Sequence, residues 1–192
     1  MSETALILLA AGNSSRMGQA KQLLEFRGRT LLRHAVETAL AAGCSPVIVV
    51  LGARADELTP SLADLPVEIA INDRWEQGMG TSIQTGLNAL GERASGAILA
   101  LADQPLVAAE FLAGLIQTHR ELGKPIVAAR YSGTVGVPVY FARTAFGLLM
   151  ALPPSQGCKG VILGHASDAF LVDCPEAAID IDTPEDYQRI AG

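Results

Sequence analysis

Short apolar runs alternate with longer amphipathic ones along most of the chain, and few folds satisfy that order. "TALILLA" precedes "TLLRHAVETALAAG", "PVIVVLG" precedes "RADELTPSLADL", "VEIAIN" precedes "TSIQTGLNALGERA", and "GAILALAD" precedes "AAEFLAGLIQTHRELG". Strand and helix in turn are the pattern of a parallel sheet covered by helices, an α/β fold. Hydrophobic residues make up 49% of the chain and aromatics only 5%, so Leu, Val, Ile and Ala must fill the core, as they do in such sheets.

Local signals set some boundaries. Thr30 is placed to cap a helix that Gly43 stops, and Leu122-Gly123-Lys124-Pro125 ends another before "PIVAARY". After Tyr131 the segment "SGTVGVPVYFART" predicts a strand outside the first pattern, followed by helical text from Ala142 to His165 and then by "DAFLVDC". The 192 residues contain no internal repeat, low-complexity tract or linker rich in Pro, Gly or Ser, so a single domain spanning residues 1–192 is expected.

Several functions are excluded at this level. Fourteen Lys and Arg against twenty Asp and Glu give a net charge of −6 without a basic run, which argues against a nucleic-acid partner. The run from Ala5 to Ala11 is too short to span a membrane and lacks a basic leader or cleavage pattern. It reads as a buried strand, with a cytoplasmic location expected. Cys44, Cys158 and Cys174 are odd in number and widely spaced, which fits buried thiols better than disulfides or a thiolate metal cage.

In an open α/β sheet, ligands bind beyond the carboxyl ends of the strands, and the unusual polar residues fall there. Gly12 to Lys21 leaves the first strand, Asn72 and Asp73 leave "VEIAI", and Asp103 and Gln104 leave "GAILALA". The first loop reads either as a turn with two solvated cations, Arg16 and Lys21, or as a wrap around an anion, since small residues let N–H groups approach a phosphate. It lacks the Gly-Lys-Ser/Thr spacing of the common phosphate loop. Asp103 either caps the next helix or binds a cation such as Mg²⁺ that bridges to phosphates. Gly78, Gly80, Thr81 and Ser82 either present amides to a base or ribose, or form a turn with Thr81 as the cap. Trp75 lines a pocket or packs the core. Thr183, Pro184, Glu185 and Asp186 form a strong helix start, leaving Asp180 and Asp182 upstream as a second metal ligand or a substrate contact.

Taken together, Leu-Ala-Ala-Gly-x-Ser-x-Arg-Met-Gly-x-x-Lys at 9–21, Gly-Met-Gly-x-Ser at 78–82, Asp-x-Pro-Leu at 103–106, Gly-x-Pro at 136–138 and Asp-Ile-Asp-Thr-Pro-Glu-Asp at 180–186 resemble the MobA-like nucleotidyltransferase family, in its molybdenum cofactor cytidylyltransferase branch. The resemblance implies a Rossmann-like three-layer α/β/α fold with a mostly parallel sheet. It also implies Mg²⁺-dependent transfer of CMP from CTP to the terminal phosphate of molybdopterin, releasing pyrophosphate. Nucleotide binding would involve Leu9, Ala10, Ala11, Gly12, Ser14, Ser15, Arg16, Lys21, Asn72, Gly78, Gly80 and Ser82. Arg16, Lys21 and Asp103 would be catalytic, and Asp103 and Asp182 would hold the metal. Gly136, Pro138, Lys159 and Asp180 would face the acceptor. Ala11, where guanylyl-transferring relatives carry Gly, favours CTP over GTP.

Two departures lie on the acceptor side. Gly136-Val137-Pro138 stands where relatives commonly show Gly-His-Pro, and the segment Pro154 to Lys159 keeps a glycine and a base but loses an acid. Nucleotidyl transfer is thus better supported than the acceptor. A sugar or polyol phosphate is the alternative acceptor, and a nucleotide-binding accessory protein for a molybdoenzyme is the non-enzymatic alternative.

Overall fold

The computed structural model describes residues 3–14 and 17–191. The leading apolar run forms β1 (Thr4–Leu9), buried along its whole length. A two-residue hairpin, β2 (Glu25–Phe26) and β3 (Arg29–Thr30), turns through Arg27 and Gly28 at positive φ. The alternation does not foretell it. Helix α1 (Leu31–Ala41) starts where Thr30 accepts a hydrogen bond from the Arg33 amide at 3.2 Å, and Gly43 lies just beyond its end at φ 78°.

The chain continues through β4 (Val47–Leu51), α2 (Ala55–Leu58), β5 (Glu68–Ile71), α3 (Met79–Leu90), β6 (Gly96–Leu101), α4 (Ala109–Leu122), β7 (Ile126–Tyr131), β8 (Thr134–Ala142), α5 (Phe146–Met150), α6 (Lys159–Gly164), β9 (Ala169–Asp173) and α7 (Pro184–Ala191). Two expected helices are shorter than their text. "RADELTPSLADL" holds one α-turn and then a 3-10 turn containing Pro60, because proline cannot donate the amide that an α-helix needs there. The stretch from Ala142 to His165 is interrupted at Pro153-Pro154 for the same reason, leaving α5 and α6 separated by a loop.

The sheet has seven strands in the order β5-β4-β1-β6-β8-β7-β9, all parallel except β8, which runs antiparallel to both β6 and β7. That reversed strand is the one predicted outside the first pattern. Alternate residues of β1 enter opposite faces. Leu6 and Leu8 pack with Leu32 and Val36 of α1, Leu58 of α2 and Leu115 of α4, while Ala5, Ile7 and Leu9 pack with Ile83 and Leu87 of α3, Leu149 of α5 and Ile162 of α6. Each large aliphatic side chain fully buried this way is worth about 1.5–3 kcal/mol. The result is the three-layer α/β/α arrangement.

Two features position the site. The strand order departs in opposite directions on either side of β1 and β6, which opens a crevice beyond their carboxyl ends. A small third cluster, Leu24, Phe26, Leu31 and Ile181, then fastens the β2–β3 hairpin and the segment before α7 against that edge. No helix among the described residues is long and apolar enough to cross a membrane.

Candidate active site

A cavity of about 400 Å³ occupies this crevice, walled by Leu9 to Asn13 from β1, Leu101 to Asp103 from β6, and Trp75, Gly78, Met79 and Ser82 from the start of α3. Most of the wall is apolar, with Glu76 beside Trp75 and with Lys21 and Asp103 as its charged members. The Lys21 ammonium bonds Asp103 Oδ2 at 2.5 Å and Asp182 Oδ1 at 2.8 Å. Its side chain is only 16% exposed. Burial lowers the lysine's affinity for its proton, yet the charges and hydrogen bonds of Asp103 and Asp182 outweigh burial and raise the pKa above the ordinary lysine value. Lys21 is therefore a fixed cation.

The carboxylates come from distant parts of the chain. Asp103 ends β6, and its carbonyl accepts the Ile181 amide at 3.0 Å, which brings the segment Asp180 to Asp182 beside it. Ile181 is completely buried, which locks that segment in place. Beyond it, Thr183 and Asp186 cap α7 reciprocally. The Asp186 amide donates to Thr183 Oγ1 at 3.2 Å, and Asp186 Oδ2 accepts from the amides of Asp182 and Thr183. Partial desolvation, followed by repulsion from Asp103, holds the Asp180 carboxyl above its usual range, so all three carboxylates share one field with Lys21. Asp103 Oδ1 is buried and has no hydrogen-bond partner among the described residues.

The first loop owes its shape to a residue the sequence reasoning passed over. Gln22, 4% exposed, donates from Nε2 to the carbonyls of Ala10 at 3.1 Å and Gly12 at 2.9 Å, while its Oε1 accepts from Ser14 Oγ at 3.0 Å. Ser14 Oγ in turn accepts the Lys21 amide at 3.2 Å. Ser14 sits at φ 55°, a conformation a side chain rarely adopts unless its surroundings hold it there. The only cue in the sequence is a polar residue set between Lys21 and the apolar pair Leu23-Leu24. Ser15 and Arg16 lie outside the described residues, so the nucleotide-binding and catalytic expectations for them have no structural counterpart here.

The remaining expected residues divide. Leu9, Ala10, Ala11, Gly12, Lys21, Gly78, Ser82 and Asp103 line the cavity. Asn72 and Gly80 do not; both hold the wall from behind. Asn72 is 2% exposed and accepts the Arg74 amide at its Oδ1, so its Nδ2 donates to Thr81 Oγ1 and Ser82 Oγ, each at 2.9 Å. The Gly80 amide donates to the Pro154 carbonyl at 2.9 Å, and a Cβ at Gly80 would meet the Pro153 carbonyl. Gly78, at φ 118°, leaves no room for a Cβ against Ser155 Cα, 2.7 Å away. These glycines thus let α3 close onto the Pro153–Gln156 loop. Thr81 is not the cap of α3, since its hydroxyl donates back to the Gly78 and Arg74 carbonyls.

The residues expected at the acceptor are scattered. Gly136 and Pro138 are buried in β8, with Gly136 against the Tyr131 hydroxyl. Lys159 is exposed at the start of α6 and outside the cavity wall. Of the four, Asp180 alone joins the charged cluster. Trp75, which the sequence leaves between pocket and core, lines the cavity together with Met79. All three cysteines are buried and free, and burial pushes the Cys44 and Cys158 thiols up to about 12.

Residues 6–169 match the MobA-like NTP transferase domain. The chain belongs to that family. Within it, the chain is 39% identical over 197 residues to the nicotine blue oxidoreductase of Paenarthrobacter nicotinovorans, covering 96% of this chain and 94% of that protein. It is 26% identical over 188 residues to the molybdenum cofactor cytidylyltransferase of Escherichia coli (strain K12), covering 97% and 95%. A crystal structure of Rv0371c from Mycobacterium tuberculosis H37Rv superimposes with a TM-score of 0.82 at 33% identity, covering 99% of this chain and 98% of that one. The complex of Rv0371c with manganese gives 0.77 at 31% identity, covering 100% and 98%. This MobA-like chain therefore shares fold and family with proteins named for more than one activity.

Proposed function

We propose that the chain transfers CMP from CTP to the terminal phosphate of molybdopterin, with Mg²⁺ and release of pyrophosphate. The observation that carries the reading is the Lys21 ammonium set between Asp103 and Asp182 in the wall of a mostly apolar cavity. Nucleotidyl transfer asks a protein for positioning and charge neutralisation more than for covalent chemistry, and no Ser, Cys or His nucleophile is required. An acceptor phosphate oxygen attacks the α-phosphorus as the bond to the β-phosphate breaks, so negative charge builds on the departing pyrophosphate. Lys21 is the cation positioned to receive that charge, and the Ala10–Gly12 backbone held by Gln22 presents a close-fitting surface to the phosphates. Trp75 and Ser82 bound the apolar end, where a base and its ribose fit.

The residues present suit a divalent metal. Asp103 and Asp182 are hard oxygen donors, and the buried, unpartnered Asp103 Oδ1 is an oxygen in want of a cation. Among the described residues no cluster of three or more His, Cys, Asp or Glu side chains forms a complete cage. Mg²⁺ commonly takes one or two carboxylates and completes its shell with phosphates and water. Bound there, Mg²⁺ would neutralise triphosphate charge. Support for molybdopterin comes from the sequence motifs and from the Escherichia coli relative alone.

The test is to incubate the protein with Mg²⁺ and either CTP or GTP, with and without molybdopterin, and to measure pyrophosphate. Release with CTP and molybdopterin only is the expected result. Release with CTP and a sugar or polyol phosphate instead would move the acceptor, and no release with any acceptor would overturn the enzymatic reading. The 39% identity to a protein named an oxidoreductase favours one second reading, a reduction carried out at the same cavity. Loss of nicotine blue absorbance when the protein is incubated with the dye and a reduced nicotinamide coenzyme would reveal it.

A further inference from the structure

Lys21 and a divalent cation would claim the same oxygens. The ammonium bonds Asp103 Oδ2 and Asp182 Oδ1, one oxygen from each carboxylate, and is itself mostly buried. Asp103 Oδ1 remains open, but it belongs to a carboxylate that already carries a cation 2.5 Å from its other oxygen. A dication placed on Oδ1 would lie within a few ångströms of a positive charge in a poorly solvated site, where repulsion is strong. The lysine can move, because its ammonium rides on a flexible four-carbon stem. What it needs is other anionic oxygens, and the cavity that would hold a triphosphate begins at Lys21 itself.

On the nucleotidyltransferase reading above, we infer that Lys21 is the resident counter-ion of the Asp103–Asp182 pair and gives the pair up to a divalent cation only when a nucleotide triphosphate offers the ammonium replacement oxygens. Metal binding is then conditional on nucleotide. By linkage, nucleotide and metal tighten one another by the same factor. Without nucleotide the lysine offsets part of the charge on the two carboxylates and joins the loop after β1 to the segment before α7. With nucleotide, one positive group is exchanged for another at the Asp103–Asp182 pair.

Mn²⁺ titrated into the protein and followed by its electron paramagnetic resonance signal tests the inference, with Mn²⁺–nucleotide mixtures lacking protein as the blank. Wild type should bind Mn²⁺ weakly alone and about tenfold or more tightly with CTP or GTP present. Lys21→Met should bind Mn²⁺ alone about tenfold more tightly than wild type and lose part of the nucleotide dependence, keeping the part that phosphate oxygens on the metal supply. Asp103→Asn should lose the site in both states. Equal Mn²⁺ affinity in wild type with and without nucleotide, or no gain in Lys21→Met, would overturn the exchange while leaving nucleotidyl transfer standing. Failure of wild type to bind Mn²⁺ with either nucleotide would overturn both. Should Lys21→Met not fold by circular dichroism, Lys21→Gln takes its place in the same comparison, and no gain in Mn²⁺ affinity over wild type then overturns the exchange.

Discussion

Gln22 holds Gly12 from ten residues further along the chain, with its Nε2 donating to the Gly12 carbonyl oxygen at 2.9 Å. The same nitrogen reaches Ala10, so one buried amide fixes the path of the backbone on both sides of Ala11. A loop of small residues has little stiffness of its own. Its shape as a phosphate surface rests on that amide.

Gln22→Leu keeps the volume and removes the donors, leaving two carbonyls and the Ser14 hydroxyl without their partner. An unsatisfied buried group costs about 1–3 kcal/mol, and a loss of about 2–4 kcal/mol is expected in urea unfolding. CTP affinity, measured by calorimetry, should fall in proportion well beyond what the stability loss accounts for. Unchanged affinity in a folded variant would deny Gln22 a part in shaping the loop.

Asp103→Ala should abolish turnover in the pyrophosphate assay while the protein stays folded. The substitution removes the carboxylate that anchors Lys21, yet it also deletes the buried unpartnered Oδ1, so the net stability change should be small, within about 2 kcal/mol. A variant that kept normal turnover would take Asp103 out of the metal and catalytic roles together.

Gly80→Ala is a test of packing rather than chemistry. Its added Cβ meets the Pro153 carbonyl, which is backbone and cannot swing aside. Overpacking of this kind costs about 1–3 kcal/mol, which thermal melting will register. KM for the nucleotide should rise more than kcat falls, because α3 carries Ser82 and Met79 in the cavity wall.

Away from the site, Arg33 grips Asp64 with two hydrogen bonds of 2.7 and 2.8 Å. The guanidinium lowers the Asp64 pKa from 3.8 to about 2. Because the folded-state value is depressed, the pair's stabilisation is complete above the unfolded value near 3.8 and fades as pH falls through about 2. In a carboxyl-carbon NMR titration Asp64 should show a midpoint near 2, and Arg33→Gln should return it to the ordinary aspartate range. An unmoved midpoint in Arg33→Gln would show that the arginine does not set it.

What could be read from the text follows from distance along the chain. The strands of the central sheet, the helices α1, α3 and α4 and caps such as Thr30 and Thr183 depend on neighbours within a few residues, and the structure places them where the spacing predicts. The residues that gather at the carboxyl edge follow from sheet topology, so Lys21 and Asp103 were legible as site candidates. The parts that escaped depend on contacts the spacing does not carry. Gln22 acts by folding back on carbonyls upstream of it, and Asn72 turns inward to organise Thr81 and Ser82. The glycines at 78 and 80 read either as amide donors to a ligand or as a turn; Gly78 lines the cavity, and the space beside both glycines is filled by the Pro153–Gln156 loop, a neighbour 70 or more positions away.

The Lys21–Asp182 bond spans 161 residues of sequence. On a ribosome that emits the chain from its amino end, β1 and its loop emerge long before the carboxylate that completes the charged cluster. The growing chain could fold most of its sheet and still lack one arm of the lysine's embrace. A product terminated before Asp182 would therefore carry every strand of the sheet and still lack the second carboxylate on Lys21.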